Sequence, residues 1–267
     1  MSTLAYALAD GAVIVKRNLI KTRRMPDVLV WTTTAPIMFV LLFAYVFGGS
    51  IKVPGTNYRE FLIAGIFAQN IIFGASFTGV GLADDMTKGI IDRFRSLPMA
   101  RSAVLIGRTV SDMANNSIAI AVMSITGLIV GWRIRTSIPE AAGGFLLLLL
   151  FSYAISWIMA FVGLKVRRVE VVNNAAFMFI FPLTFIANTF VPSQNLPGGL
   201  RTFAEWNPVS SLAQAAREAF GNAVPYTSAS HAWSLNHPVA YVLLWVAVIL
   251  AIFVPLSVRQ YARSTSV

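Results

Sequence analysis

The sequence predicts an all-α integral membrane protein with six transmembrane helices. Three observations carry that prediction. Hydrophobic residues make up 57% of the 267 positions and charged residues only 12%, about half the charged share of a soluble domain. Six apolar runs are each long enough to cross a hydrocarbon core about 30 Å thick, which takes about 20 helical residues. The lysines and arginines gather in alternate connections between those runs, as they do in multi-pass proteins. No polar segment is long enough to bury a core of its own, so residues 1–267 read as a single transmembrane domain.

In chain order, the first element is an interfacial helix within residues 1–25. Leu4, Leu8, Ala12, Val15 and Leu19 recur at helical spacing, and Lys16, Arg17, Lys21, Arg23 and Arg24 supply the basic side chains that reach headgroups. The spans follow at 28–47, 61–83, 103–131, 141–163, 171–191 and 238–258. Pro36 and Pro182 inside them are tolerated as kinks. Between the second and third spans, residues 84–98 read as a short amphipathic helix. Met86, Ile90, Phe94 and Leu97 form its apolar stripe, Asp84 and Asp85 sit at its start against the helix dipole, and Pro98 stops it. Between the fifth and sixth spans, residues 192–237 contain an external re-entrant helical segment. Asn207 is its N-cap, Pro208 fits the first turn, and Val209, Leu212, Ala213, Ala216 and Phe220 make an apolar face.

Orientation follows from the basic residues. With the N-terminus inside, the cytoplasmic segments hold Lys16, Arg17, Lys21, Arg23, Arg24, Lys88, Arg93, Arg95, Arg101, Arg108, Lys165, Arg167, Arg168, Arg259 and Arg263. The other side keeps Lys52, Arg59, Arg133, Arg135, Arg201 and Arg217. The excess places both termini in the cytoplasm. The formal net charge of +10 then reflects topology and contact with anionic lipid rather than nucleic acid. No small-residue cleavage pattern follows the first apolar run, so it reads as a span and not a signal peptide.

Several chemistries are excluded or disfavoured. There is no cysteine, hence no disulfide, no thiolate nucleophile and no Cys-ligated metal. No G-x-x-x-x-G-K-[ST] occurs, so the chain cradles no nucleotide phosphate by a P-loop. His231 and His237 lack a third ligand at metal spacing, and Asp84–Asp85 lacks the second acidic cluster of a membrane transferase. The one acid within a span is Asp112, with Arg108 at (i, i−4) to pair with it. Gln69, Asn70, Asn115, Asn116, Asn173, Asn174 and Asn188 are spread over three spans. They either line a path or hydrogen-bond between helices. Phe177, with Phe73, Phe77, Phe179, Phe181 and Phe185, either lines that path or faces lipid.

The run KGIIDRFRSLPMARSAVLIGRTVSDM and the external LPGGLRTFAEWNPVSSLAQAAREAF resemble the membrane subunit of ABC-2-type exporters, most closely the daunorubicin-resistance-like permeases. The first matches a G-x-x-[ED]-R-x-[RK]-[ST]-x-P pattern through Gly89, Asp92, Arg93, Arg95, Ser96 and Pro98. The second carries Asn207, Pro208 and, nine residues later, Arg217. The resemblance covers nearly the whole chain. It implies a subunit without catalytic site, cofactor or metal of its own, seated in a prokaryotic cytoplasmic membrane. Its implied partners are a second permease chain, identical or homologous, and two P-loop ATPase subunits that hold ATP and magnesium. It also implies export of an amphiphilic or lipid-like substrate such as a drug, polyketide or glycolipid. The 84–98 helix becomes the ATPase-coupling element, with Lys88, Ile90, Ile91, Asp92, Arg93, Phe94, Arg95 and Leu97 as contact residues. Composition alone leaves a plain surface helix equally open. The rival reading is a proton-coupled secondary transporter using Asp112.

Overall fold

The computed structural model describes residues 13–18, 20, 26–47, 53, 57–95, 101–223 and 232–263, and every regular element among them is helical. In order these are α1 (13–18), α2 (Pro26–Leu42, running into a π-helical turn Phe43–Phe47), α3 (Tyr58–Thr87), α4 (Ile90–Arg95), α5 (Arg101–Val130), α6 (Ile138–Val166) and α7 (Val169–Phe185). After a 3-10 turn at Ser193–Asn195 come α8 (Gly198–Trp206), α9 (Pro208–Phe220), α10 (Trp233–Asn236) and α11 (Pro238–Arg263). Among the described residues, four helices are long and apolar enough to cross a membrane: α3, α6, α11 and α5 from Ala103 onward. Two shorter apolar stretches, Thr34–Val46 and Val169–Phe185, accompany them.

α3 is the centre of the bundle and packs against α5, α6, α7 and α9. Asn57 starts it by accepting the Arg59 N–H at 3.1 Å, which satisfies one of the open donors of the first turn. Its glycines let neighbours approach to backbone contact. A Cβ at Gly79 would lie 2.5 Å from the Met159 carbonyl oxygen of α6, and one at Gly163 would run into the carbonyl of Gly79. Near the other end, a Cβ at Gly65 would collide with the backbone of Thr189. Where lipid offers no hydrophobic drive between helices, such close dispersion contact is what holds them together.

The two ends of the bundle are chemically different. At one end lie the starts of α3 and α6, the end of α5, and α8 and α9. There Arg59 Nη1 donates to the Val130 carbonyl at 3.3 Å, Arg135 pairs with Glu60, and the Trp132 indole donates to Asn222 at 2.7 Å. Trp132, Phe67 and Phe220 pack edge to face. At the other end, Leu82, Ile91, Val104, Leu105, Leu164 and Tyr261 form a second, smaller apolar cluster. This end carries Lys16, Arg17, Lys88, Arg93, Lys165, Arg167, Arg168, Arg259 and Arg263. The α6–α7 turn consists of Arg167 and Arg168 alone, with Arg167 in the left-handed region at φ 58° and its N–H on the Gly163 carbonyl.

The segment 84–98 differs from its sequence reading. α3 does not stop where hydropathy falls; it runs to Thr87, then breaks at Lys88 and Gly89, the latter at φ +67°, before the six residues of α4. Asp84 and Asp85 therefore close the last turn of α3 instead of opening the next helix. Hydropathy marks where lipid ends, whereas a helix ends where its hydrogen-bond ladder ends, here at a left-handed glycine. Ser96, Leu97 and Pro98 lie outside the described residues, as do Lys21, Arg23, Arg24 and His231.

Candidate functional site

Two carboxylates in the last turn of α3 face the negative end of its own dipole, so each needs a cation. Asp84 has Lys88 at 2.7 Å, which in turn holds the Lys88 ammonium above its ordinary pKa. Asp85 is buried and pairs with Arg17 of α1 at 3.7 Å. On the same helix, Asn18 is buried and its Nδ2 donates to Ser111 Oγ of α5 at 3.3 Å. α1 is thus seated on the seam of α3 and α5, and Arg17 faces protein. In α4, Ile91 turns inward onto Leu82 and Leu105, while Ile90 and Asp92 are half-buried and Arg93 is exposed. The side chains of Phe94 and Arg95 lie outside the described residues.

About three turns into α5, Asp112 accepts hydrogen bonds from Arg108 Nε at 3.1 Å and Thr78 Oγ1 at 2.7 Å. Arg108 also donates to the Phe77 carbonyl at 3.2 Å. The acid is buried with its counter-charge and a hydroxyl, which satisfies it and ties α3 to α5.

The seven polar and aromatic residues read as path candidates divide into two groups. Asn116 is buried and bridges helices, its Nδ2 donating to Ser152 Oγ at 2.6 Å and to the Ile71 carbonyl at 3.4 Å. Gln69 is buried, and Asn115 is half-buried. Asn70 of α3 is also half-buried, and Asn173, Asn174 and Phe177 of α7 are exposed. With Phe73, whose ring lies 5.6 Å from that of Phe177, and with Phe77, they form a strip along α3 and α7 that the single chain leaves open.

At the opposite end, Asn207 serves two helices. Its Oδ1 accepts the Val209 N–H of α9 at 2.9 Å while its Nδ2 donates to the Leu183 carbonyl in α7 at 2.7 Å. Pro208 occupies the first turn of α9. Arg217, with no exposed surface, sends its guanidinium to the carbonyls of Phe61, Asn188 and Thr189 and to Asn188 Oδ1, at 2.7–3.2 Å, and lies 3.6 Å over the Phe61 ring. α7 ends just before Asn188, so a cation from α9 meets the carbonyl end of that helix. Sequence reading found Asn207, Pro208 and Arg217 as a motif but not what Arg217 holds. Its partners are 28 to 156 residues away.

An α-helical bundle of long apolar helices, with lysines and arginines gathered at one end and a buried guanidinium clamp at the other, has the make-up of a polytopic membrane domain. The chain belongs to the ABC-2 type transporter family, which matches over residues 11–220. It is 30% identical over 264 residues to the daunorubicin resistance ABC transporter permease protein DrrB1 of Streptomyces coeruleorubidus, covering 98% of this chain and 90% of that one. It is 24% identical over 265 residues to the probable doxorubicin resistance ABC transporter permease protein DrrC of Mycobacterium tuberculosis, covering 98% and 92%. It is 25% identical over 223 residues to the O-antigen export system permease protein RfbA of Klebsiella pneumoniae, covering 81% and 82%.

Proposed function

We propose that this chain is the membrane subunit of an ATP-driven exporter, crossing the cytoplasmic membrane six times with its basic end and both termini inside. The observation that carries the reading is the α3–α4 corner. There a left-handed glycine sets a short, charged helix at the basic end of a bundle whose relatives are ABC transporter permeases. α4, with Lys88, Asp92 and Arg93, is the contact for a separate P-loop ATPase, which binds ATP and magnesium. The open strip of Asn70, Phe73, Phe77, Asn173, Asn174 and Phe177 is half of a translocation path, completed by a second permease chain, identical or homologous. Relatives named for daunorubicin resistance, doxorubicin resistance and O-antigen export support an amphiphilic or lipid-like substrate.

The test is purification of the tagged chain from its native membrane in mild detergent, with its companions identified by mass spectrometry. A stoichiometric P-loop ATPase is expected. A complete, well-behaved preparation without one overturns the assignment.

A further inference from the structure

We infer that the path is closed at its outer end by an aromatic stack centred on Phe43 and Phe190, and that the π-helical turn of α2 is the movable half of this closure. The inference rests on reading the α3–α7 strip as part of the path. Five rings run from α2 to α7 without a break. Phe39 stacks on Phe43 with centroids 5.7 Å apart, Phe43 on Phe190 at 4.4 Å and 17°, Phe190 on Phe185 at 5.1 Å, and Phe185 on Phe181 at 4.1 Å. Phe190 is buried, whereas Phe39, Phe181 and Phe185 are partly exposed beside the strip. The neighbouring Thr189 abuts α3 at Gly65. Asn70 lies five residues, or about 7.5 Å, further along α3 towards the basic end. The stack therefore spans the strip on its outer side.

The two halves of the stack are held differently. Phe190 follows Asn188 and Thr189, whose carbonyls are gripped by the buried Arg217. That half is fixed to α9 and α3. Phe43 opens the π-helical turn Phe43–Phe47, seven residues after Pro36. A π turn carries an extra residue relative to the α-helix, so its conversion to α geometry shifts the register by one residue, about 100° of rotation. Such a shift swings Phe43 off Phe190. The turn is also tethered to the start of α3 through Arg59, which lies 5.1 Å over the Tyr45 ring. α3 ends at the α4 corner, so a displacement of α3 delivered there is passed to the turn through Arg59.

The chain has no cysteine, so a single introduced thiol reports its own accessibility. N70C is placed in the otherwise unaltered protein and in F43A/F190A, and each is treated with a membrane-impermeant maleimide from the face opposite the basic end. L200C, on the exposed face of α8, serves as the labelling control. F43L/F190L keeps apolar volume without rings and serves if the alanine pair fails to fold. The expected result is slow labelling of N70C with the phenylalanines present and a several-fold faster rate without them, at unchanged L200C labelling. Labelling of N70C that the ring substitutions leave unchanged, fast or slow, overturns the closure. This readout needs neither substrate nor ATPase. A gated N70C in a chain that purifies without an ATPase would sink the exporter reading while leaving the closure standing.

Discussion

The α9 end and the basic end of this bundle are stitched by different means. At the α9 end, one fully buried guanidinium collects three backbone carbonyls and an amide oxygen, while Asn207 caps one helix and grips another. The Arg135–Glu60 pair beside them is exposed on its arginine side. At the basic end, the last turn of α3 is held by pairs with an exposed partner, Lys88 on Asp84 and Arg17, about one-third exposed, on Asp85. The buried Arg108–Asp112–Thr78 set lies deeper along α5. Buried, hydrogen-bonded charge is costly to separate, whereas an exposed pair contributes little and is screened by salt. The last turn of α3 is therefore parted more easily than the clamp.

Removing the clamp is the harshest way to break the contrast. Arg217→Ala leaves the Phe61, Asn188 and Thr189 carbonyls buried without that donor. It should cost about 3–5 kcal/mol, or prevent accumulation of folded protein altogether. Arg217→Lys keeps the charge but not the fork, so its thermal midpoint in detergent should fall between the two. Asp112→Asn is milder. It keeps an acceptor for Thr78 and leaves Arg108 without its carboxylate, a loss of about 1–2 kcal/mol. With Asp112 in a structural role, ATP-dependent transport persists in that variant; abolished transport with normal folding would revive the proton-coupled alternative. The smallest effect belongs to Arg17→Ala, at most about 1 kcal/mol. Its thermal midpoint should drop at low ionic strength and match the parent at high salt. A salt-independent drop would mean that the burial of Asp85 outweighs the exposure of Arg17.

What was legible in the sequence was local. The Asn207 cap, Pro208, the apolar face of α9 and the Arg108–Asp112 pair all depend on residues within a few turns of each other, where helical geometry dictates who meets whom. The clamp of Arg217, the Arg135–Glu60 pair and the seat of α1 on Asp85 and Ser111 join residues tens of positions apart. No spacing announces them. Asp84 and Asp85 were misplaced for a related reason. Two acids after an apolar run suit a helix start, and only the position of the left-handed Gly89 shows that the preceding helix had not yet ended. The amides were ambiguous because an asparagine reads the same whether it holds a neighbouring helix, as Asn116 does, or lies open, as Asn173 does.

The close fit of Gly65 against Thr189 has a mechanical consequence. α3 has 30 residues and is about 45 Å long, so it overreaches a hydrocarbon core of about 30 Å. It is held at two points: at Gly65 against Thr189 and, about 21 Å further along, at Gly79 against the backbone of α6. Two contacts that far apart leave α3 little freedom to tilt, so it acts as a strut. A push of a few ångströms delivered beside Gly89 therefore travels along its axis to Tyr58 with little loss of distance, and both glycine contacts must slide together.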